Sequence, residues 1–162
     1  MKAMGDDLAA WRASMETNAT GFFATVRAFA DAMAATGGGS VVNISSMQGM
    51  IGMNPWLYEG TTMGVPPDYF FHKGGMINLT RHLAKVWAAQ RIRVNCIAPG
   101  PVATPMLDRF DDRQLEALRQ SIPLGRITSP DEVAAAVAFL LSPHAASMTG
   151  TCFNMSAGLV LD

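Results

Sequence analysis

The sequence predicts an α/β fold in which about three parallel strands are flanked by helices. Amphipathic helical patterns alternate with short apolar runs, and glycine, proline or serine separates the two. The 162-residue chain is 49% hydrophobic and 15% charged, which is typical of a globular protein with a large buried core. Strands joined through helices in this way lie parallel in one sheet, with right-handed crossovers.

Composition excludes several classes of function. The formal net charge of −1 gives neither the basic surface that nucleic acids need nor a polybasic membrane patch. No apolar run is long enough to span a bilayer, and the first residues lack the apolar core of a signal peptide, so a cytoplasmic location is expected. Cys96 and Cys152 lie in apolar runs, where cysteines are usually buried and inert, and neither a disulfide framework nor a metal site is expected.

A long helix is predicted over residues 6–35. Asn18 falls within its apolar stripe, where a buried amide must find hydrogen-bond partners; bonding to the neighbouring backbone is an equally open explanation. Gly37–Gly39 ends this helix and opens a strand, the reverse of the order found in phosphate-binding loops. The predicted stripe consists of Leu8, Trp11, Met15, Phe22, Val26, Phe29 and Met33.

Residues 40–46 read as the first strand, apolar enough to be buried on both faces. Ser45 and Ser46 end it, at the carboxyl edge of the sheet where ligands bind in open α/β folds, although two serines can equally begin a turn. We also expect strand 40–46 to pair with a strand from outside this chain, because natural proteins seldom leave a long apolar edge bare. The irregular, methionine-rich segment 47–68 is expected to act as a lid.

A second long helix is predicted over residues 69–89, with Tyr69 and Lys73 on one face because they lie four positions apart. An ammonium beside a phenol favours the phenolate, so such a tyrosine can exchange a proton near neutral pH. Taken alone, this spacing occurs by chance in many helices. The predicted buried stripe consists of Met76, Leu79, Thr80, Leu83, Val86 and Trp87.

The rest of the chain continues the alternation. A second strand is predicted at residues 92–98, followed by a proline-rich turn and a short helix at 111–120. Ser129–Glu132 has the pattern of a capping box and begins a further helix, and residues 151–155 form the third strand. The inner face of the helix that follows Ser129 is predicted to consist of Val133, Val137, Leu140 and Leu141.

Six groups of residues, in this order, resemble the C-terminal two-thirds of a short-chain dehydrogenase/reductase. Each group is weak alone, and the order across nearly the whole chain carries the resemblance. The groups are Asn18-Ala19-Thr20-Gly21; Val42-Asn43-Ile44-Ser45-Ser46; Tyr69-x-x-x-Lys73; Arg93-Val94-Asn95 with Pro99-Gly100-Pro101-Val102-Ala103-Thr104; Pro123-Leu124-Gly125-Arg126 with Pro130-Asp131-Glu132-Val133-Ala134; and Thr149-Gly150.

The resemblance implies an incomplete Rossmann-like, doubly wound parallel sheet and assigns catalytic roles. Tyr69 would be the acid/base that exchanges a proton with the substrate oxygen, and Ser46 would hydrogen-bond that oxygen. Lys73 would favour the phenolate of Tyr69 and bind the nicotinamide ribose, while Asn18 would hold a water that joins Lys73 to a proton relay.

The resemblance also implies NAD or NADP as cofactor. Tyr69 and Lys73 would contact it, and the turn after the second strand would lie along the nicotinamide. The implied reaction interconverts an alcohol and a ketone, with a sugar or polyol as one candidate substrate. The cofactor-binding residues of the turn would be Pro99, Gly100, Val102 and Thr104.

The sequence departs from the family pattern at several points. The N-terminal glycine-rich turn and the residue that selects NAD or NADP are missing, so residues 1–162 are expected to form a single partial domain of a truncated form. Ser46 and Tyr69 lie 23 positions apart, more than in most relatives, which suggests an insertion. Asn154–Gly158 replaces the usual Asp-Gly-Gly turn, and His72 is expected to pack or face solvent rather than contact substrate.

Two functions remain open at this point. The first is an NAD(P)-dependent oxidoreductase, whether or not this chain is active alone. The second is a non-catalytic remnant that cannot hold a dinucleotide but keeps the helices through which the family assembles. In either case the resemblance implies a homo-oligomer formed through helices 6–35 and 69–89.

Overall fold

The computed structural model describes residues 7–52 and 64–161. Helices and strands alternate along the chain as the sequence predicts. Short 3-10 turns lie between them, at Met47–Gly49, Ala88–Gln90, Pro105–Arg109 and Pro143–Ala145. In chain order the elements are α1 (Leu8–Met15), α2 (Gly21–Ala35), β1 (Gly39–Ile44), α3 (Pro67–Val86), β2 (Ile92–Pro99), α4 (Asp112–Ser121), α5 (Pro130–Leu141) and β3 (Cys152–Met155).

The three strands form one parallel sheet in the order β1-β2-β3, which confirms the predicted fold class. Gly39 pairs with Ile92 at one end of the first pairing and Ile44 with Ile97 at the other, while Cys96 pairs with Cys152 in the second. β1 is an edge strand of the described sheet, and its predicted pairing with a strand from outside the chain stays a prediction.

The helices cover both faces of the sheet. Val94 on β2 belongs to a buried cluster that Val26 on α2 and Leu83 on α3 complete. Ile97, three residues further along β2 and therefore on the opposite face, packs with Leu140 of α5. This arrangement on two faces confirms the doubly wound, Rossmann-like description, and it places α3 over the same face of the sheet as α2.

The predicted helix over 6–35 exists, but a π-helical turn at Glu16–Thr20 separates α1 from α2. A π turn holds more residues than an α turn, so it rotates the residues before it relative to those after it. The predicted stripe is therefore partly wrong. Leu8 and Phe29 are 67% and 60% exposed, and the buried line of α2 passes through Val26 and Ala30 instead.

Two more predicted core positions lie at helix ends and are wrong. Val86 and Leu141 are both exposed, because each is the last residue of its helix, where the chain turns away from the sheet. β1 is also less buried than predicted: Asn43 is buried, whereas Ile44 is exposed at the edge of the sheet. Most of the predicted lid lies outside the described residues, so both the lid and the single-domain boundary stay predictions.

Polar side chains of β2 hold the third strand in place. Arg93 donates to the carbonyl oxygens of Leu140 and Met148, at 2.9 and 3.2 Å. Asn95 is fully buried; its amide donates to the Met148 carbonyl and accepts from the Thr151 N–H. Arg93 and Asn95 thus form hydrogen bonds with backbone groups at the end of α5 and in the loop that leads into β3. This is a structural reason for these residue types.

The predicted capping box at the start of α5 is confirmed, and α4 begins with a second one that was not predicted. Asp111 and Gln114 cap α4, and Ser129 and Glu132 cap α5. The carboxylate of Glu132 also accepts two hydrogen bonds from the Arg126 guanidinium, at 2.6 and 2.8 Å. The Arg126 guanidinium, together with the Ser129 N–H, lowers the pKa of Glu132 to about 2.

Two adjacent glycines provide a test of the turn between α2 and β1. Gly37 and Gly38 have φ angles of 96° and 121°, so alanine at either position costs about 1–2 kcal/mol of backbone strain. Only at Gly38 would a Cβ also collide with the Arg91 carbonyl oxygen; at Gly37 the nearest atom is 3.9 Å away. We expect Gly38→Ala to lower the urea unfolding midpoint clearly more than Gly37→Ala does. Equal midpoints would contradict this close approach.

Candidate active site

The carboxyl end of β1 carries two serines with different partners. Ser45 donates its hydroxyl to the Lys73 carbonyl oxygen at 2.8 Å, and its N–H bonds to the Ile97 carbonyl oxygen. Ser46 accepts a hydrogen bond from the Gln48 N–H at 3.2 Å, which begins the Met47–Gly49 turn. Ser45 therefore fastens β1 to α3, whereas Ser46 lines a cavity.

Tyr69 and Lys73 share one face of α3, as their spacing predicts. The Lys73 ammonium lies 5.8 Å from the centre of the Tyr69 ring and donates to the Ile44 carbonyl oxygen at 2.8 Å. Burial lowers the pKa of Lys73 below its ordinary value. A cation is thus held between the end of β1 and the tyrosine ring.

A cavity of about 370 Å³ opens beside these residues. It brings Ser46 and Tyr69 together with Gly100 and Pro101, which follow β2, because parallel strands end at the same edge of the sheet. Gln48 supplies a further polar side chain. The remaining lining consists of Met47, Gly64, Val65, Pro66, Met106, Leu107, Phe110 and Leu118.

The other predicted cofactor residues do not line this cavity. Pro99 is the buried last residue of β2. Val102 forms a β-bridge with Thr128, and Thr104 is exposed, where it begins the Pro105–Arg109 turn. Lys73 approaches the cavity only through its position beside Tyr69.

Asn18 departs from the sequence prediction. It is exposed, in the π-helical turn, and its amide donates to the backbone oxygen of Ser14 at 3.1 Å. Its placement in the buried stripe was wrong, because the π turn changes the helix phase, and the alternative of bonding to local backbone is confirmed. The Ser14 hydroxyl in turn donates to the carboxylate of Asp68, the residue before Tyr69.

Two further residues at this site were not predicted from the sequence. A Cβ at Gly49 would lie 2.7 Å from the Lys73 carbonyl carbon and oxygen, so only glycine lets the Met47–Gly49 turn approach α3 this closely. Asp68 receives the Ser14 hydroxyl and thereby ties α1 to the start of α3. The available signal for Gly49 was a glycine shortly after the two serines that end a strand. Asp68 had no such signal, because its contact with Ser14 joins residues 54 positions apart.

His72 packs against the tyrosine. It is 6% exposed, its ring meets the Tyr69 ring edge-on at 5.3 Å, and its Nδ1 has no hydrogen-bond partner among the described residues. Its pKa is lowered mainly by burial and then by Lys73, against an opposing contribution from Asp68. His72 therefore packs in the interior, one of the two roles expected for it, and its burial disfavours the charged imidazolium.

The two cysteines lie beside each other on neighbouring strands, without a disulfide between them. Cys96 is fully buried, and its contact with Cys152, together with burial, raises the pKa of its thiol. A thiol in this state is a poor nucleophile, as expected for a core cysteine. Among the helices of the described residues, none has the length and apolar character needed to cross a membrane.

Comparison with known proteins matches this arrangement to one family. A family model described as enoyl-(acyl carrier protein) reductase matches residues 2–160. The chain is 39% identical over 158 residues to galactitol 2-dehydrogenase (L-tagatose-forming) from Cereibacter sphaeroides. That alignment covers 96% of this chain and 59% of the relative.

Two solved structures share the fold. A 3-oxoacyl-[acyl-carrier protein] reductase from Brucella melitensis aligns with a TM-score of 0.87 at 30% identity, over 98% of this chain and 56% of that one. A protein described as a 2-deoxy-D-gluconate 3-dehydrogenase from Agrobacterium tumefaciens, with bound NADP, aligns with a TM-score of 0.82 at 34% identity. The second alignment covers 96% of this chain and 60% of that one. The chain thus spans about three-fifths of the length of the relatives it matches.

The buried imidazole predicts a pH effect on stability. Below the unfolded pKa of about 6.5 the unfolded chain binds a proton that folded His72 binds only at lower pH. The free energy of unfolding should therefore fall as the pH drops through 6.5, and His72→Phe should remove part of that slope. Urea unfolding at pH 7.5 and 5.5 measures the slope.

The control for this prediction is His82→Phe, which replaces an exposed imidazole on the same helix. It should retain the acid sensitivity of the unmodified protein. If both variants lose the same part of the slope, His72 is not the buried base responsible.

Proposed function

The chain belongs to the short-chain dehydrogenase/reductase family, and from this membership we propose that it interconverts an alcohol and a ketone with NAD or NADP. The observation that carries the proposal is the meeting of Ser46 and Tyr69 in one cavity, with the Lys73 ammonium beside the tyrosine ring. This set provides a hydrogen-bond donor for a substrate oxygen, a proton donor and a cation that stabilises the resulting phenolate.

The chemistry of the side chains fits a nicotinamide cofactor. Lys73 donates one of its three N–H groups to the Ile44 carbonyl oxygen, so the other two could donate to ribose hydroxyls. Gly100 also lines the cavity, so its backbone could lie along a flat ring. When bound, the cofactor supplies or accepts the hydride.

In the direction of ketone reduction, each residue has one task. The Ser46 hydroxyl donates to the carbonyl oxygen and orients the substrate. As that oxygen gains negative charge, the Tyr69 hydroxyl transfers its proton to it, and the tyrosine becomes a phenolate. The Lys73 ammonium, 5.8 Å from the ring centre, stabilises this phenolate until solvent returns the proton. Alcohol oxidation follows the same steps in reverse.

Some proposed roles have weaker support. Asn18 as the ligand of a relay water stays a prediction, because its amide already bonds to Ser14 and it does not line the cavity. Contacts of Pro99, Val102 and Thr104 with the nicotinamide likewise stay predictions. A sugar or polyol substrate has the support only of relatives, the galactitol 2-dehydrogenase and the protein described as a 2-deoxy-D-gluconate 3-dehydrogenase.

We also propose that the protein assembles through the helices at residues 6–35 and 69–89. Phe23 and Phe29 on α2 and Phe71 on α3 are exposed, and aromatic side chains of this kind are commonly covered in subunit contacts. The same surface supports the alternative function, a non-catalytic assembly module. Light scattering that finds only monomer at high protein concentration would contradict assembly.

Substitution of the reacting groups tests the catalytic proposal. Tyr69→Phe removes one hydroxyl and should lower turnover by at least about 100-fold, the usual contribution of a general acid, while leaving the fold intact. Ser46→Ala should also lower turnover severely. The matched control is Ser121→Ala, an exposed serine at the end of α4, which should retain full rate. Full activity of Tyr69→Phe would end the acid/base assignment.

Cofactor binding can be tested without knowledge of the substrate. Titration with NADH and NADPH, followed by tryptophan fluorescence, should show saturable binding that Lys73→Ala weakens. Lys85→Ala, an exposed lysine on the same helix, should bind as the unmodified protein does. A well-folded chain that binds neither nucleotide would favour the non-catalytic alternative.

A further inference from the structure

The side chains that line the cavity beside Tyr69 include a polar group and a larger apolar group, called the polar wall and the apolar wall. Its polar side chains, Ser46, Gln48 and Tyr69, come from the end of β1 and the start of α3. Six apolar side chains of the lining come from the segment before α3, from the Pro105–Arg109 turn and the residue that follows it, and from α4. They are Val65, Pro66, Met106, Leu107, Phe110 and Leu118.

The polar wall offers few hydrogen-bonding side chains beyond those that the reaction uses. In the proposed function, on which this inference rests, Ser46 and Tyr69 are both occupied by the one reacting oxygen. Gln48 is then the remaining polar side chain among the described residues that line the cavity. Because Gln48 already has a partner within the protein, it can serve at most one further polar group of a substrate.

A polyhydroxylated substrate therefore fits this lining poorly. Each hydroxyl that enters an apolar surface loses hydrogen bonds to water, and such a loss is costly unless a partner replaces them. A hydrocarbon body gains free energy from the same contact, in proportion to the apolar area it removes from water. Contact with the apolar wall therefore favours the binding of a hydrocarbon body and disfavours the binding of a polyhydroxylated one.

We propose that the substrate is a small apolar ketone, or the matching secondary alcohol, with a ring or short-chain hydrocarbon body and at most one further polar group. A cavity of about 370 Å³ suits such a molecule. In the reduction, the hydride of NAD(P)H adds to the carbonyl carbon and the carbonyl oxygen takes the Tyr69 proton, so one ketone and one NAD(P)H give one alcohol and one NAD(P)⁺.

The test compares two ketones of opposite character, 4-tert-butylcyclohexanone and the ketohexose L-tagatose, on the 162-residue chain. Binding is measured by ligand-observed NMR, with and without nucleotide, and reduction is measured by loss of NADH or NADPH absorbance. We expect the apolar ketone to bind at least about tenfold more tightly, since even one methylene in an apolar pocket changes discrimination by that factor. Tighter binding of tagatose, equal binding, or binding of neither overturns the proposal.

Variants locate the binding to the apolar wall. Met106→Gln should weaken binding of the apolar ketone several-fold, and because Met106 is 68% exposed the change leaves the core intact. Leu118→Gln, on α4, should act in the same direction. The control is Leu124→Gln, which replaces a leucine about as exposed as Met106 that does not line the cavity. This variant should bind the ketone as the unmodified protein does. Binding that is insensitive to both wall variants overturns the proposal.

The outcomes separate this inference from the proposed function. Met106-dependent binding of the apolar ketone without turnover by either nucleotide supports the ligand class and counts against the oxidoreductase function. Reduction of tagatose but not of the apolar ketone supports the oxidoreductase function and overturns the substrate class.

Discussion

The site depends on how Lys73 joins α3 to the end of β1. Its ammonium donates to the Ile44 carbonyl oxygen, while its own carbonyl oxygen accepts the Ser45 hydroxyl. Two groups of one residue, the ammonium and the backbone carbonyl of Lys73, thus connect the helix to the strand end. Gly49 allows the turn after the strand to pack directly against the same carbonyl. Tyr69, one helical turn before Lys73, is consequently fixed over the strand end where Ser46 emerges.

The parts of this arrangement that the sequence predicts are those that depend on short-range spacing. Tyr69 and Lys73 share a face because four residues make just over one turn, and Ser129 with Glu132 caps α5 because both groups lie within a single turn. The strands were also predictable, because β2 is buried along nearly its whole length and its sequence is mostly apolar, with Arg93 and Asn95 as the polar exceptions.

The parts that the sequence could not predict depend on helix phase and on distant partners. One π turn was enough to place Asn18 on the surface and to leave the predicted stripe incomplete, because a periodic pattern assumes a constant number of residues per turn. Val86 and Leu141 fit the helical period, but they lie where their helices leave the sheet. The bond between Ser14 and Asp68 joins two helices that no local pattern relates.

The two walls of the cavity come from segments with different structural duties. The reacting groups sit on the strand end and on α3, whose positions the sheet and the Lys73 junction determine. Met106, Leu107 and Phe110 sit in and beside a 3-10 turn, outside the paired strands. Such a segment can change its side chains without disturbing the sheet, as binding residues on loops generally can. Likeness to a galactitol dehydrogenase therefore extends to the scaffold more securely than to the substrate. In the proposed function, the surface that selects the substrate is the apolar wall.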